Sequence, residues 1–148
     1  MEKALLELIT QQGDQGVLLP FARLADLAED TLRLTQSGDY LTGGIDWMAT
    51  DPQRFLPDNL PFAPASLLMV ATPSPRARLR FSWQGRVIES IMPPTYADMD
   101  KDAGILRYLT AFLGEHGHRV TPAGKVPLKM LAVRSGLAQY GRNFICYN

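Results

Sequence analysis

Apolar residues recur at helical spacing in three stretches of the chain. Leu5, Leu6 and Ile9 predict a first helix within residues 2–12. A stripe of apolar residues that begins after Pro20 predicts a second helix, which Ser37-Gly38 ends. A third helix follows Pro93-Pro94 and ends at Gly114 or Gly117. Its caps are Asp98, Asp100 and Asp102, and its apolar positions are Ile105, Leu106, Leu109, Phe112 and Leu113.

Shorter apolar runs predict strands in the middle of the chain. Residues 67–72 form a compact apolar run between prolines, which is typical of a central strand. Residues 78–83 and 86–92 alternate polar and apolar positions around Gln84-Gly85 and predict a hairpin with one solvated face. The alternation places Leu79, Phe81 and Trp83 together on one face.

The last stretch predicts a helix, a tight turn and a strand. Pro127 can open the helix, and Gly136 can close it in the left-handed conformation, with Leu137 folding back onto the last turn. Residues 139–143 then read as a loop, and residues 144–147 as a strand buried on both faces. Natural domains seldom end on such a strand, so we expect the front part of a longer protein or a family member reduced to its first domain.

The order of elements indicates the α+β class. Helix, helix, strand, hairpin, helix, helix and strand follow one another, and the hairpin excludes a purely parallel sheet. We expect a small mixed or antiparallel sheet with a hairpin, flanked by helices. The 148 residues, of which 46% are hydrophobic, suffice for a single domain over residues 1–148.

Charge and cysteine content narrow the function classes. Fifteen basic and fifteen acidic residues cancel, so no overall field draws the chain to nucleic acid or to an anionic membrane. The single Cys146, which we expect in the core, cannot form an internal disulfide or hold an iron-sulfur cluster that needs four thiolates. No signal peptide or membrane span is evident in the sequence, which favours a cytoplasmic location.

The loop from Ser135 to Asn143 is the best candidate site. Its glycines would let backbone N–H groups approach a ligand, and Lys129, Arg134 and Arg142 add positive charge, so a phosphate-bearing cofactor would fit. The alternative is an ordinary helix cap followed by a strand. Tyr96 follows Pro93-Pro94-Thr95, where its phenol could donate a proton to a substrate or could be a surface tyrosine in a turn.

Two other groups of residues have both a functional and a structural interpretation. His116 and His118 could form a two-histidine metal clip, but without a third ligand we expect cations near a helix C-terminus and no metal site. Arg76, Arg78 and Arg80 could contact tRNA phosphates, although arginines on an edge strand more often prevent edge-to-edge pairing.

Residues 127–147, together with Trp47-Met48 and Pro93-Pro94-Thr95-Tyr96, carry a resemblance to a known family. The string Pro-Leu-Lys-x-Leu-Ala-Val-Arg-Ser-Gly-Leu-x-x-Tyr-Gly-Arg-Asn-x-Ile-Cys-Tyr resembles the corresponding stretch of epoxyqueuosine reductases and reductive-dehalogenase-like proteins. Those proteins are cobalamin-dependent iron-sulfur oxidoreductases. The resemblance covers their N-terminal, corrinoid-associated part and implies a nitroreductase-like architecture. The cysteine-rich module that carries the 4Fe-4S clusters is absent from this chain.

The resemblance implies roles for particular residues. The corrinoid and its nucleotide tail would contact Ser135, Gly136, Tyr140, Gly141 and Asn143, beside the charges of Lys129, Arg134 and Arg142. Tyr96 would face the substrate. The implied partners are the chain's own missing C-terminal iron-sulfur module and either tRNA, as in tRNA modification, or a small organic substrate.

One departure from the family pattern leaves the function open. Epoxyqueuosine reductases carry a catalytic aspartate shortly before the helix that starts near Pro127, whereas this chain has Thr121-Pro-Ala-Gly-Lys125 and no carboxylate after Glu115. The alternatives are a non-catalytic binding or scaffold domain that kept the fold, and a flavin- or nitroreductase-like domain. Because this chain lacks the ligands of an iron-sulfur cluster, the reductase interpretation predicts that it cannot turn over substrate alone.

Overall fold

The computed structural model describes residues 1–37, 57, 59–73, 77–92, 101–123, 126–140 and 146–147, with the backbone alone at residues 31, 32, 34–37, 140, 146 and 147. The elements are α1 (Glu2–Gln11), β1 (Gln15–Pro20), α2 (Arg23–Ser37), β2 (Ser66–Ala71), β3 (Ala77–Trp83), β4 (Arg86–Met92), α3 (Lys101–Glu115), α4 (Leu128–Arg134), β5 (Gln139–Tyr140) and β6 (Cys146–Tyr147). These elements confirm the α+β class. Within these ranges, no helix combines the length and the apolar character needed to cross a membrane.

The chain divides into two compact units. The first comprises Met1–Ala71 and Thr121–Asn148, and the second comprises Thr72–Val120. The first unit contains α1, α2, α4 and the strand pairs β1–β2 and β5–β6. The second contains the β3–β4 hairpin and α3. The expectation of a single domain over residues 1–148 stays a prediction.

The β1–β2 pair forms the sheet of the first unit. The strands are antiparallel, with Gly16 opposite Val70 and Leu18 opposite Leu68, and the Phe21 amide extends the ladder by donating to Ala65 O at 3.0 Å. The predicted strand over residues 67–72 is confirmed as β2. The element order was wrong at β1, because the Gly- and Gln-rich stretch after α1 indicated only the end of a helix.

Helix α1 packs closely against β1. Leu5 and Ile9 are buried on the apolar side of the helix, as their spacing predicts. A Cβ atom at Gly16 would lie 2.8 Å from Ile9 Cδ1, a distance shorter than van der Waals contact allows. The absence of a side chain at residue 16 therefore lets the helix approach the strand.

The main core of the first unit joins segments from both ends of the chain. Helix α2 contributes Leu24 and Leu27, β2 contributes Leu67 and Met69, and α4 contributes Leu131. Each of these residues is buried, with an exposed fraction of at most 8%. Burial of such a side chain stabilises a fold by about 1.5–3 kcal/mol, so Leu131 is the main apolar attachment of the short α4.

The second unit contains the predicted hairpin. Its strands pair with Leu79 opposite Ser90 and Phe81 opposite Ile88, so the predicted register of Leu79, Phe81 and Trp83 is confirmed. The expectation of one solvated face was wrong, because large apolar side chains are exposed on both faces of the hairpin. The exposed fractions are 47% for Leu79, 48% for Phe81, 63% for Trp83, 57% for Val87, 38% for Ile88 and 65% for Ile91.

Helix α3 has the predicted apolar stripe. Leu109 and Leu113 are buried, and Asp102 lies in the first turn, where its charge favours the helix N-terminus. The predicted caps Asp98 and Asp100 lie outside the described residues. The Lys101 ammonium donates a hydrogen bond to Pro73 O, and the His118 amide donates to Leu113 O at 2.8 Å beyond the last turn.

The core position of Leu131 generates a prediction about stability. We expect Leu131→Ala to lower the free energy of unfolding of the first unit by about 2–5 kcal/mol, because it leaves a cavity among four buried side chains. Leu128→Ala is the matched control on the same helix, since Leu128 is 61% exposed. Urea unfolding followed by circular dichroism measures both changes. If Leu131→Ala and Leu128→Ala lowered the free energy of unfolding equally, the assignment of Leu131 to the core would be contradicted.

Candidate functional site

Helix α4 begins as the sequence predicts. Pro127 occupies the N-cap, and its carbonyl accepts a hydrogen bond from the Leu131 amide at 3.1 Å. The missing N–H of proline costs nothing at a helix start, where no intrahelical acceptor exists. The helix ends at Arg134, and Leu131 on its inner side packs into the core.

The turn after α4 also has the predicted form. Gly136 has a φ of +78°, the left-handed conformation that residues with a Cβ atom rarely adopt. Its amide donates to Val133 O at 3.1 Å, and the Ala138 amide donates to Ala132 O at 3.0 Å. Leu137 packs against the core cluster. The glycine cap thus fixes the path of the chain after the helix.

The backbone amides of this turn are used within the turn itself. The Ser135 amide donates to Leu131 O at 2.8 Å, and the Leu137 amide donates to Ser135 Oγ at 3.4 Å. The Ser135 hydroxyl donates to Ala132 O at 3.0 Å. Together with the bonds of Gly136 and Ala138, these contacts occupy all four N–H groups of residues 135–138. Ligand contact at this turn would therefore come from side chains or from the uncovered side of Gly136.

Gly136 has open space beside it. Among the residues that the structure describes, and apart from its two neighbours in the chain, no atom would lie within 4 Å of a Cβ atom at this position, and the residue is exposed. The turn is therefore fixed on its inner side by Leu137 and accessible on its outer side. This combination suits a surface against which a flat ligand can lie.

Arg134 is paired with a carboxylate from another helix. Its Nη2 lies 3.0 Å from Asp30 Oδ2, and Arg33 Nη2 lies 2.8 Å from Asp30 Oδ1, so one α2 carboxylate bridges two guanidinium groups. Arg134 remains 54% exposed. An anionic ligand at Arg134 would share the guanidinium with Asp30 or displace it.

Lys129 does not share the side of α4 that Arg134 occupies. Five residues separate them, which corresponds to about 140° around a helix. Lys129 is exposed. We therefore expect the two cations to contact different parts of a ligand, which suits a nucleotide or a macrocycle better than a single phosphate.

The strand after the turn is confirmed only in part. Cys146–Tyr147 forms β6, and Phe144 and Ile145 lie outside the described residues. Gln139 pairs with Tyr147 and Tyr140 pairs with Cys146, so residues 139–140 form a strand and not part of the predicted loop. Antiparallel pairing of the two segments, which spacing alone did not indicate, accounts for the difference.

Four of the predicted site residues lie outside the described part of the chain. They are Tyr96, Gly141, Arg142 and Asn143. The structure brings Arg134, Ser135 and Gly136 together at the end of α4, with Tyr140 following in β5. Their contacts with a cofactor stay predictions.

The two other candidate clusters have local structural partners. His116 lies at the C-terminus of α3, where its Nδ1 is 2.8 Å from Phe112 O and its ring centroid is 4.5 Å from that of Phe112. Arg80 Nε lies 3.9 Å from Glu89 Oε1 across the hairpin, and Arg76 lies outside the described residues. Among the side chains that the structure describes, no three His, Cys, Asp or Glu groups are close enough to hold a metal ion.

A concave surface that the sequence did not indicate lies along α1. It has a volume of about 820 Å³ and opens widely to solvent. It is lined by Met1, Glu2, Lys3, Leu6, Glu7, Thr10 and Gln11. None of the candidate residues lines it, and its polar side chains are those of an ordinary exposed helix face.

The left-handed conformation of Gly136 generates a prediction. Gly136→Ala should lower the free energy of unfolding by about 1–2 kcal/mol, through backbone strain alone, because the space beside the residue is open. Gly136→Asn is the control at the same position, since asparagine adopts this conformation at a smaller cost. Thermal unfolding measures the loss of stability of each variant relative to the wild-type chain. Equal destabilisation by alanine and asparagine would contradict the assigned turn.

The chain was compared with protein-family models, curated proteins and solved structures, and no match was found in any of the three.

Proposed function

We propose that this chain is the N-terminal cofactor and substrate domain of a cobalamin- and iron-sulfur-dependent reductase similar to epoxyqueuosine reductases. The proposal rests on the resemblance of residues 127–147. Under this proposal, the protein is a cytoplasmic component of an oxidoreductase and has the nitroreductase-like architecture of corrinoid domains. A separate iron-sulfur module supplies electrons, and the substrate is either tRNA or a small organic molecule.

One structural observation supports the proposal most directly. Leu131 and Leu137 attach the turn after α4 to the core, while Arg134 and Gly136 are exposed to solvent. A corrinoid needs a fixed, open surface on which its ring edge or nucleotide tail can lie. The open space at Gly136 leaves room for such a group, and the exposed Arg134 two residues earlier is a cation that could bind a phosphodiester.

The donor set at the turn fits the cofactor through its side chains. Arg134 can form a charge-assisted hydrogen bond with a phosphate oxygen, and Lys129 can contact a second part of a large ligand. The bound cofactor would supply the cobalt centre for reductive chemistry. Residues of this chain would position it, and Tyr96 is the proposed proton donor to the reduced substrate.

A non-catalytic binding domain is the second candidate function. It is favoured by the absence of any carboxylate between Glu115 and the end of the sequence, where the resembled reductases carry their catalytic aspartate. Such a domain would bind the corrinoid or a related ligand without contributing an acid. A flavin-binding, nitroreductase-like domain is the third, and a yellow chromophore in the purified protein would identify it.

Cobalamin binding tests the leading proposal. We expect hydroxocobalamin to bind the purified chain with a measurable change in its visible spectrum. Arg134→Gln should weaken this binding by roughly 10-fold, which corresponds to the loss of one charge-assisted hydrogen bond. Equilibrium dialysis provides an independent measurement of the same dissociation constant.

Arg23→Gln is the matched control for that experiment. Arg23 also pairs with a helix carboxylate, because its Nη1 lies 2.9 Å from Asp26 Oδ2, but it lies at the start of α2 and not at the turn. Its replacement removes the same charge and should leave cobalamin binding unchanged. Absence of binding at millimolar cobalamin, or equal weakening by both variants, would contradict the proposed site.

A further inference from the structure

We infer that the β3–β4 hairpin is a self-association surface, on which a second copy of this chain docks to form a weak symmetric dimer. The hairpin apolar face comprises the exposed side chains on one side of the two strands. These residues are Leu79, Phe81, Trp83 and Ile88. Nothing in the proposed reductase function requires this surface.

The strand register places these side chains on one face. Residues two apart on a strand point to the same side, and directly paired residues share a side, so Phe81 and its partner Ile88 adjoin each other. Leu79 and Trp83 flank Phe81 along β3. Ala77 and its partner Met92, both partly buried, continue the same face at the open end of the hairpin.

The exposed area is large for a surface without a partner. The four side chains are 47%, 48%, 63% and 38% exposed, which corresponds to about 400 Å² if each offers roughly 200 Å². Apolar patches of about 300–600 Å² are the largest on typical monomers and are often functional. A hairpin of two strands is also marginally stable in water without a covering layer.

The charge distribution favours a second copy as the covering layer. The face carries one charged residue, Arg86, beside the turn, whereas the Arg80–Glu89 ion pair lies on the opposite face. A nearly uncharged face offers little to a phosphate backbone or to an acidic peptide and is complementary to an identical face. Equal numbers of basic and acidic residues, 15 of each, remove net repulsion between copies.

A two-fold axis through the middle of the face also separates the arginines. With this axis in the contact plane and perpendicular to the strands, the two hairpins stack in opposite directions, and each Arg86 lies near the open end of the other hairpin. Seven residues of strand span about 23 Å, which exceeds the Debye length of about 8 Å at physiological ionic strength. Stacked sheets about 10 Å apart would bury Phe81 of both copies near the axis.

The apolar area that two hairpin faces can bury limits the affinity of the dimer. Two such faces bury about 800 Å² of apolar surface, below the roughly 1,200 Å² of stable complexes. We therefore expect a reversible dimer with a dissociation constant of roughly 10–100 μM. Stronger association would require contacts beyond this face.

Sedimentation velocity of the full chain, from about 5 to 500 μM, tests the inference by mass action. We expect a monomer at the lowest concentration and a dimer at the highest. Phe81→Glu and Trp83→Glu should each raise the dissociation constant at least 10-fold, because they place two carboxylates in the contact. A wild-type chain that stays monomeric throughout would overturn the inference.

Ile91→Glu is the matched control. Ile91 is 65% exposed, close to the 63% of Trp83, but lies on the opposite face of the hairpin, opposite Arg78. Ile91→Glu should therefore leave the dissociation constant of the dimer unchanged. Equal increases in this constant for Ile91→Glu and Trp83→Glu would overturn the inference. A second measurement needs no destabilising charge: in a Cys146→Ser background, Phe81→Cys should be cross-linked into a dimer by a bismaleimide that spans about 10 Å, the separation of stacked sheets, and Ile91→Cys should not. The reverse pattern would identify the other face as the interface.

Discussion

The burial of Leu131 among Leu24, Leu27, Leu67 and Met69 is the contact on which the candidate site depends. Helix α4 has only seven residues, too few to be stable by its own hydrogen bonds. Packing against α2 and β2 holds it in place. Because the turn after α4 follows directly from the last helical residues, the position of Arg134, Ser135 and Gly136 is a consequence of this apolar contact.

The same packing determines which groups of the turn can meet a ligand. The glycine cap uses the amides of residues 135–138 for internal hydrogen bonds, so the turn presents side chains and an uncovered glycine. Asp30 holds the guanidinium of Arg134 toward α2 through a 3.0 Å ion pair. Its bridging position between Arg33 and Arg134 fixes the direction of one cation and at the same time competes with any anion that would bind there.

Local sequence signals predicted the parts of the fold that local interactions determine. Pro127 and Gly136 fixed both ends of α4, because a missing amide and a left-handed residue are each favoured at one particular helix end. Alternation around Gln84-Gly85 gave the hairpin register for a similar reason. Each of these features is determined within a few residues of the chain.

Features that depend on distant partners were harder to predict. Strand β1 was missed because the Gly- and Gln-rich stretch after α1 indicated only the end of a helix, whereas the strand character of Val17, Leu18 and Leu19 comes from pairing with β2 about fifty residues later. Residues 139–140 became a strand through Cys146–Tyr147. The ion pair of Arg134 with Asp30 joins residues that no spacing rule connects. Exposure of both hairpin faces likewise depends on which layers cover them.

Native-state hydrogen exchange tests the central claim most directly. If the Leu131 contact attaches α4 to the core, the amides of Leu131, Ser135 and Ala138 should exchange with the same free energy of opening as the β1–β2 ladder, and with the same dependence on urea. Exchange of the α4 amides at a much lower free energy, independent of urea, would show that the helix opens separately. The turn would then lack the fixed position that the proposed site requires.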